Sequence, residues 1–551
     1  MGKLDQNKQV HPVLSIENLS ISIPEGGDRP FAVKGITFDV KPQEILCIIG
    51  ESGSGKSVTS FATMGLLPKA LKPASGRILF EGQDLLKLSH RKLNALRGNR
   101  MAMIFQEPMT ALNPCYTVGD QIEEVLKKHR KINATNRRER VLNLLDEVKL
   151  PDPKRLRNAY PHQLSGGQRQ RVMIAMALAL DPRLLIADEP TTALDVTTQA
   201  QILNLLKLLK TNHDAGIMFI THDFGVLAEI ADRVVVMKDG QIVEQGSSDE
   251  ILKHPKHPYT KMLISAVPRK VPGNRQIMNE SPITLSAKHV VKTFRTTGGL
   301  FSEGRTVHAV KDAGFTVRRG ETLGIVGESG SGKTTLVRCL IKLINPDSGE
   351  IRINDVDFVS LNKNELRAHR KDIQIIFQDP YGSLNPRRTI GDLLIEGPLN
   401  FGVPRAQAIN KARELLHIVQ LSPDCIDRYP SQFSGGQRQR ICIARALAVE
   451  PKVLIADEAV SALDVSVQKE VLKLLAQIRD EFGLTLVFIT HDLRVAAQIC
   501  DNIIVMKDGE IVERGSVDAV FDNPSHEYTQ QLLAAEPGKD WVIPEFSNEA
   551  R

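Results

Sequence analysis

No apolar run of roughly 18 or more residues occurs in this chain, so it contains no segment that reads as a bilayer-spanning helix. The first residues, Met1 to Pro12, are polar and lack the apolar stretch of a secretory signal; export is not expected, and the cytoplasm is the default. Cysteine is sparse as well. The six, Cys47, Cys115, Cys339, Cys425, Cys442 and Cys500, show no C-x-x-C spacing, and several lie in apolar stretches. They read as small buried hydrophobes, not as a disulfide framework or a metal site. An excess of one charge is also missing. A formal net charge of +6 is mild for 551 residues, and Lys and Arg are interleaved with Asp and Glu, so charge gives nucleic-acid binding little support.

What is present is a duplication. The first half carries Gly50-Glu51-Ser52-Gly53-Ser54-Gly55-Lys56-Ser57, then Gln106, Leu164-Ser165-Gly166-Gly167-Gln168, Asp188-Glu189 and His222. The second carries Gly327-Glu328-Ser329-Gly330-Ser331-Gly332-Lys333-Thr334, then Gln378, Phe433-Ser434-Gly435-Gly436-Gln437, Asp457-Glu458 and His491. In both halves the serine precedes the Asp by 23 residues and the Asp precedes the His by 34. A register held over that distance marks a repeated domain. The length agrees, since 551 residues suit two domains of roughly 250 each better than one core.

Apolar runs bounded by turn residues place the motifs at the ends of buried strands, the arrangement of an α/β protein with its ligand at the strand carboxyl ends. Ile45 to Ile49 and Leu323 to Val326 lead into the glycine-rich loops. Leu184 to Ala187 and Val453 to Ala456 precede the acidic pairs, and Ile217 to Ile220 and Leu486 to Ile489 end beside the histidines. All six are expected to be central strands. Between each Gln and each Ser-Gly-Gly-Gln the pattern turns helical: Val141, Leu144, Leu145 and Val148 in the first half, and approximately Ile409, Ala412, Leu416 and Val419 in the second. The expected layout is a first domain over 12–267, a linker over 268–282, a second domain over 283–536 and a polar, poorly ordered tail over 537–551.

A G-x-x-x-x-G-K-[ST] loop after a buried strand lets backbone N–H groups approach phosphate oxygens at a helix N-terminus. Lys56 and Lys333 then reach the β- and γ-phosphates. Ser57 and Thr334 supply the hydroxyl for Mg²⁺, and Asp188 and Asp457 suit a hold on the same ion. Glu189 and Glu458 are the natural bases for an attacking water. Ser-Gly-Gly-Gln taken alone is equally a helix cap.

The full order of glycine loop, Gln, LSGGQ, acidic pair, Ala-Leu-Asp and His resembles the ATP-binding cassette (ABC) family over nearly all of both halves. The resemblance implies two tandem nucleotide-binding domains, each a P-loop parallel-sheet core with an inserted helical subdomain. It implies that Ser165, Gly167, Gln168, Ser434, Gly436 and Gln437 complete the ATP site of the opposite domain in a head-to-tail sandwich within one chain. It also implies that Gln106 and Gln378 sense Mg²⁺ and water, that His222 and His491 contact the γ-phosphate, and that Asp195 and Asp464 lie on the loop crossing the seam. Phe31 is the candidate adenine-stacking residue, with only His308 near the matching place in the second half. The acidic pair continues Pro190-Thr-Thr in one half and Ala459-Val-Ser in the other. No ligating group is lost, and both sites read as hydrolytic.

Phe105-Gln-Glu-Pro-Met-Thr-Ala-Leu-Asn-Pro114, Phe377-Gln-Asp-Pro-Tyr-Gly-Ser-Leu-Asn-Pro386 and His257-Pro-Tyr-Thr260 resemble the dipeptide/oligopeptide branch of importer ATPases. The second half's Ile-Ala-Asp-Glu-Ala-Val-Ser-Ala-Leu-Asp looks like the fused ATPase of glutathione importers. That branch implies two membrane permeases and a periplasmic solute-binding protein as partners, no nucleic acid, and a peripheral place on the cytoplasmic face of the inner membrane. Met109 and Tyr381 fall on the loops that abut the permeases. An iron–sulfur cluster is not expected, because no cysteine lies between Cys115 and Cys339. The alternative is a soluble tandem cassette acting on ribosomes as a translation factor; such proteins join their cassettes by a long charged helix, which Pro268 to Pro282 does not resemble.

Overall fold

Ile45–Ile49, Leu184–Asp188 and Gly216–Ile220 are buried at every position, as are Thr322–Val326, Val453–Asp457 and Thr485–Thr490. Continuous apolar runs without alternation are what a sheet covered on both faces requires. The computed structural model describes residues 11–24, 26, 29–106, 111–191, 194–212, 214–270, 281–295, 306–461 and 463–546. It divides into two units, Met1–Val267 together with Glu536–Arg551, and Pro268–Ala535.

In the first unit a six-stranded sheet runs, in bonding order, Gln241–Ser247, Arg233–Lys238, Ile45–Ile49, Gly216–Ile220, Leu184–Asp188 and Met101–Ile104. Every pairing is parallel except that of Gln241–Ser247 with Arg233–Lys238. A four-stranded antiparallel sheet, Phe31–Val40, Leu14–Ser22, Lys72–Phe80 and Gln83–Asp84, packs on it. Leu14, Ile16 and Phe80 from the small sheet share one core with Ile48, Ile186 and Ile220 from the large one. The second unit repeats the plan, with Ile373–Ile376, Val453–Asp457, Thr485–Thr490, Thr322–Val326, Asn502–Lys507 and Glu510–Ser516 in order. All six strands expected to be central are interior.

The helical insertions sit where the periodicity places them. Ala134–Glu147 buries Val141, Leu144 and Leu145, and Val148 at its C-cap is buried too. In the second unit the stripe differs by one position. Arg405–Ile418 starts after Pro404 and buries Ala408, Ala412, Leu415 and Leu416, while Ile409 is only partly buried. Spacing counted from Ala408 gives i, i+4, i+7 and i+8, the true inward face.

The C-terminal segment corrects an expectation. Of the tail expected to be poorly ordered, residues 537–546 are described, and they pack on the first unit through Trp541, whose ring stacks on Phe224 with centroids 6.2 Å apart and planes 18° from parallel. Gly538 lies against the backbone of Gly225, where an added Cβ would meet its Cα at 2.8 Å. Of the expected linker, residues 271–280 lie outside the described residues. Lys270, in the second unit, pairs with Asp518 at 2.8 Å and Asp522 at 2.7 Å on helix Val517–Asp522. Among the described residues no helix is long and apolar enough to cross a membrane.

Candidate functional site

Each glycine-rich loop leaves the end of a central strand and enters a helix, Lys56–Met64 or Lys333–Leu340. The first glycine is obligatory. Gly50 has φ +152° and a Cβ there would lie 2.2 Å from Met237 O; at Gly327, with φ +148°, it would lie 2.3 Å from Met506 O. Lys56 is buried and folds back over the loop, donating from Nζ to Gly50 O at 2.6 Å and Glu51 O at 2.9 Å. Lys333 donates likewise to Gly327 O at 2.6 Å and Glu328 O at 2.7 Å. Ser52, Gly53, Ser329 and Gly330 form the exposed crest of each loop. Ser54 Oγ is buried without a hydrogen-bond partner.

The acidic pairs lie one strand beyond the neighbouring one, close enough for Ser57 Oγ to donate to Asp188 Oδ1 at 3.1 Å. Burial is the main cause that pushes Asp188 up to about 6, and the charge of Glu189 adds to it against Ser57 and Lys56. Asp457 is likewise pushed up to about 6, by burial first and Glu458 next. Thr334 occupies the place of Ser57 at the start of its helix.

Glu189 and Glu458 have φ of +47° and +48°, a left-handed conformation costly for a residue with a Cβ and a mark of strained functional positions. Their N–H groups are spent on the next strand, on Ile220 O at 2.9 Å and Ile489 O at 3.0 Å. That turn aims each carboxylate at a Gln and a His. Gln106 Nε2 donates to Glu189 Oε2 at 3.0 Å, and His222 Nδ1 stands 3.3 Å from the same oxygen. Gln378 Nε2 donates to Glu458 Oε2 at 2.8 Å, with His491 Nδ1 at 3.5 Å. Burial alone would lower the His491 ring, but Glu458 holds it above its ordinary value. In return His491 holds Glu458 below its own, against burial.

The signature segments are helix starts. Ser165 Oγ accepts from Gln168 N at 3.3 Å while Gln168 Oε1 accepts from Ser165 N at 3.1 Å, a capping box on Gly166–Leu178. Ser434 and Gln437 do the same on Gly435–Leu447, at 3.4 and 3.0 Å. Both serines are exposed, and Gly167 and Gly436 follow in the first turn. Asp195 Oδ1 caps the next helix from Thr198 N at 2.9 Å, and Asp464 is the N-cap of Val465–Phe482.

Each unit thus brings its loop lysine, acidic pair, Gln and His to the carboxyl ends of the strands of one sheet, with the signature serine held on a helix cap. Of the two loops expected to abut permeases, Met109 lies outside the described residues. Tyr381 is 60% exposed, with the Arg438 guanidinium 4.1 Å over its ring.

Four residues, Gln170, Gln439, Tyr259 and Tyr528, have places at the site that the sequence reading did not assign. Gln170 Nε2 donates to Pro190 O at 2.6 Å, whereas the equivalent Gln439 Nε2 is buried without a partner. Tyr259 and Tyr528 meet the phosphate loops, at a separation of 208 residues for the first, which no local pattern reveals. Among the described residues no cluster of three or more His, Cys, Asp or Glu is placed to hold a metal by itself.

A phosphate loop, an acidic pair at the end of a parallel strand and a histidine at the end of the next define each unit as a P-loop nucleotide-hydrolysing cassette. The family described as ABC transporter matches residues 33–192 and 310–461. The region described as oligopeptide/dipeptide transporter, C-terminal region, matches residues 243–296 and 512–542. The chain is 46% identical over 558 residues to the glutathione import ATP-binding protein GsiA of Escherichia coli O157:H7, covering 95% of this chain and 89% of that one. The K12 strain's GsiA matches to the same extent, 46% over 558 residues with 95% and 89% covered. A solved structure of the ATP-binding cassette MJ0796 in a dimeric, post-hydrolysis state with ADP and Pi is 31% identical, covering 42% of this chain and 98% of that one, with a TM-score of 0.38. The chain belongs to the ABC transporter family and carries two of its ATP-binding cassettes.

Proposed function

We propose that this chain binds and hydrolyses ATP to drive uptake of peptides, glutathione-type tripeptides among them, through partner membrane permeases. The observation that carries the hydrolytic part is the convergence of Gln and His on one oxygen of Glu189, repeated at Glu458. Import and solute class rest on the 46% identity to glutathione import proteins and on the oligopeptide/dipeptide region present after both cassettes. The ribosomal alternative is not supported by these relatives.

The residues fit a triphosphate. The loop has no room for a Cβ at its first glycine, its lysine is preformed over the cradle, and Ser54 Oγ offers a buried hydroxyl that a phosphate oxygen would satisfy. They also fit Mg²⁺, which usually takes one or two protein oxygens and completes its shell with water and phosphate. Ser57, Asp188 and Gln106 would hold it in the first unit, and Thr334, Asp457 and Gln378 in the second. Bound there, it would neutralise phosphate charge and offset the burial that raises both aspartates.

Glu189 and Glu458 orient the attacking water and take its proton as general bases. His222 and His491 hold the γ-phosphate end, and Lys56 and Lys333 bind the β- and γ-oxygens. The exposed serines of the two capped signature helices each serve the other cassette's nucleotide, in a head-to-tail arrangement within the chain. The permeases dock at the Gln loops near Tyr381, on the cytoplasmic face of the membrane, and a periplasmic binding protein delivers the solute. Co-expression with permease subunits of the oligopeptide/dipeptide or glutathione importer type tests the whole reading. The expected result is a complex whose ATPase activity rises with peptide or glutathione in vesicles; a chain that binds ribosomes and no permease overturns it.

A further inference from the structure

In each unit a tyrosine from the region after the catalytic core touches the first variable residue of the phosphate loop. The Glu51 backbone N–H donates to Tyr259 Oη at 3.1 Å, and the Tyr259 hydroxyl donates to Glu51 Oε2 at 3.2 Å. In the second unit the Glu328 N–H donates to Tyr528 Oη at 3.1 Å. Both rings are buried, and a lysine ammonium stands over each: Lys238 at 4.9 Å and Lys507 at 4.7 Å. Those lysines end the strands whose Met237 and Met506 carbonyls crowd Gly50 and Gly327. Each tyrosine therefore ties the loop entrance to the strand that shapes it.

The tyrosines are themselves held. Tyr259 N donates to Nδ1 of the N-cap His257, and Tyr528 N to that of His526, both at 3.1 Å. Glu244 accepts from Lys256 N at 2.6 Å and His257 N at 3.2 Å; Glu513 accepts from Ser525 N at 2.7 Å and His526 N at 3.2 Å. The same three-link chain, carboxylate to histidine turn to tyrosine to loop amide, is built twice. A helix needing only a packed ring would be served by phenylalanine; both units place the hydroxyl oxygen on a loop N–H. An amide held in place before phosphate arrives is ordering that binding need not supply.

We propose that Tyr259 and Tyr528 are positioning residues of the two ATP sites, each hydroxyl pinning the entrance of its phosphate loop in the nucleotide-binding conformation. This rests on the assignment of the two loops as ATP sites. Titration of a fluorescent ATP analogue with Mg²⁺ into the full chain tests it, together with steady-state ATPase rates and nucleotide-free unfolding midpoints. Tyr259→Phe and Tyr528→Phe are each expected to weaken nucleotide binding at one site about 3- to 10-fold, the range of one ordinary hydrogen bond. The effect appears in KM, with kcat at saturating ATP and the unfolding midpoint close to wild type. Leu263→Ala, on the Tyr259 helix, is the control: it lowers the midpoint and keeps wild-type affinity well below it. Phe variants that bind like wild type, or a Leu263→Ala that weakens binding as much as they do, overturn the proposal. Lys56→Ala with Lys333→Ala is expected to abolish binding; if it binds as wild type does, the ATP-site assignment has failed, and the positioning role with it.

Discussion

Gln106 donates its side-chain N–H to Glu189 Oε2 at 3.0 Å, and the oxygen that accepts it is the one nearest the His222 ring. The carboxylate is thus steered by groups from two flanking segments while its own backbone sits in a left-handed turn at φ +47°. In its proposed role as base, a carboxylate so constrained tolerates no change of chemistry. Glu189→Gln or Glu458→Gln is expected to cut hydrolysis at its site by roughly 10²- to 10⁴-fold while ATP still binds. Single-turnover hydrolysis beside equilibrium nucleotide binding checks this; wild-type turnover in the double variant removes the assignment.

The proposed pairing of each cassette's loop with the other's signature helix predicts a pattern of coupling. Lys56→Ala and Ser434→Arg are expected to damage one site and so to be non-additive, whereas Lys56→Ala with Ser165→Arg damages both. ATPase rates of the three single and two double variants decide it. Independent multiplication by the first pair, without it in the second, rules out the head-to-tail scheme.

Gln170 and Gln439 occupy equivalent buried places with different satisfaction. Gln170→Leu removes a bond to the Pro190 carbonyl and is expected to destabilise its unit by about 1–3 kcal/mol. Gln439→Leu removes an amide that already lacks a partner, and its effect is expected near zero or stabilising. Urea unfolding of both variants makes the comparison, and equal losses would show that the two amides are equally well satisfied.

Glu513 supplies the pH-dependent case. Burial pushes its carboxyl up, but the Thr529 hydroxyl beside it, with the hydrogen bonds from Ser525 and His526, outweighs burial and holds it below the ordinary value. A carboxyl depressed by folding contributes stability that is full above its unfolded pKa, about 4.3, and is lost as pH falls through the folded one. Glu513→Gln is expected to lower the second unit's unfolding midpoint at neutral pH, with the gap to wild type closing as pH drops through and below that range. A gap of constant size across the titration contradicts the sign argued here.

What the sequence disclosed was local. The loops, signature helices and acidic pairs are short words whose chemistry follows from residues a few positions apart, and the buried strands announced themselves as unbroken apolar runs. The Gln–Glu–His convergence was legible as a set of residues but not as a geometry, because the positive φ at Glu189 is a property of the folded turn. The tyrosine struts and the Gln170–Pro190 bond join distant parts of the fold, where periodicity is silent. The one-position shift at Ala408 lies in the tertiary packing, which turns Ala408 and Leu415 into the core and leaves the larger Ile409 partly covered.

The Trp541–Phe224 stack also sets an order in time. The first unit consists of Met1–Val267 closed by Glu536–Arg551, so a ribosome that has released its sheets still has the whole second cassette to make before the closing segment exists. The first cassette therefore spends the synthesis of the second with an uncovered aromatic contact beside its histidine turn, and only a chain extended past Trp541 covers it. Premature termination leaves that surface bare. Because Trp541 is the chain's single tryptophan, its emission records the moment at which that closure is made.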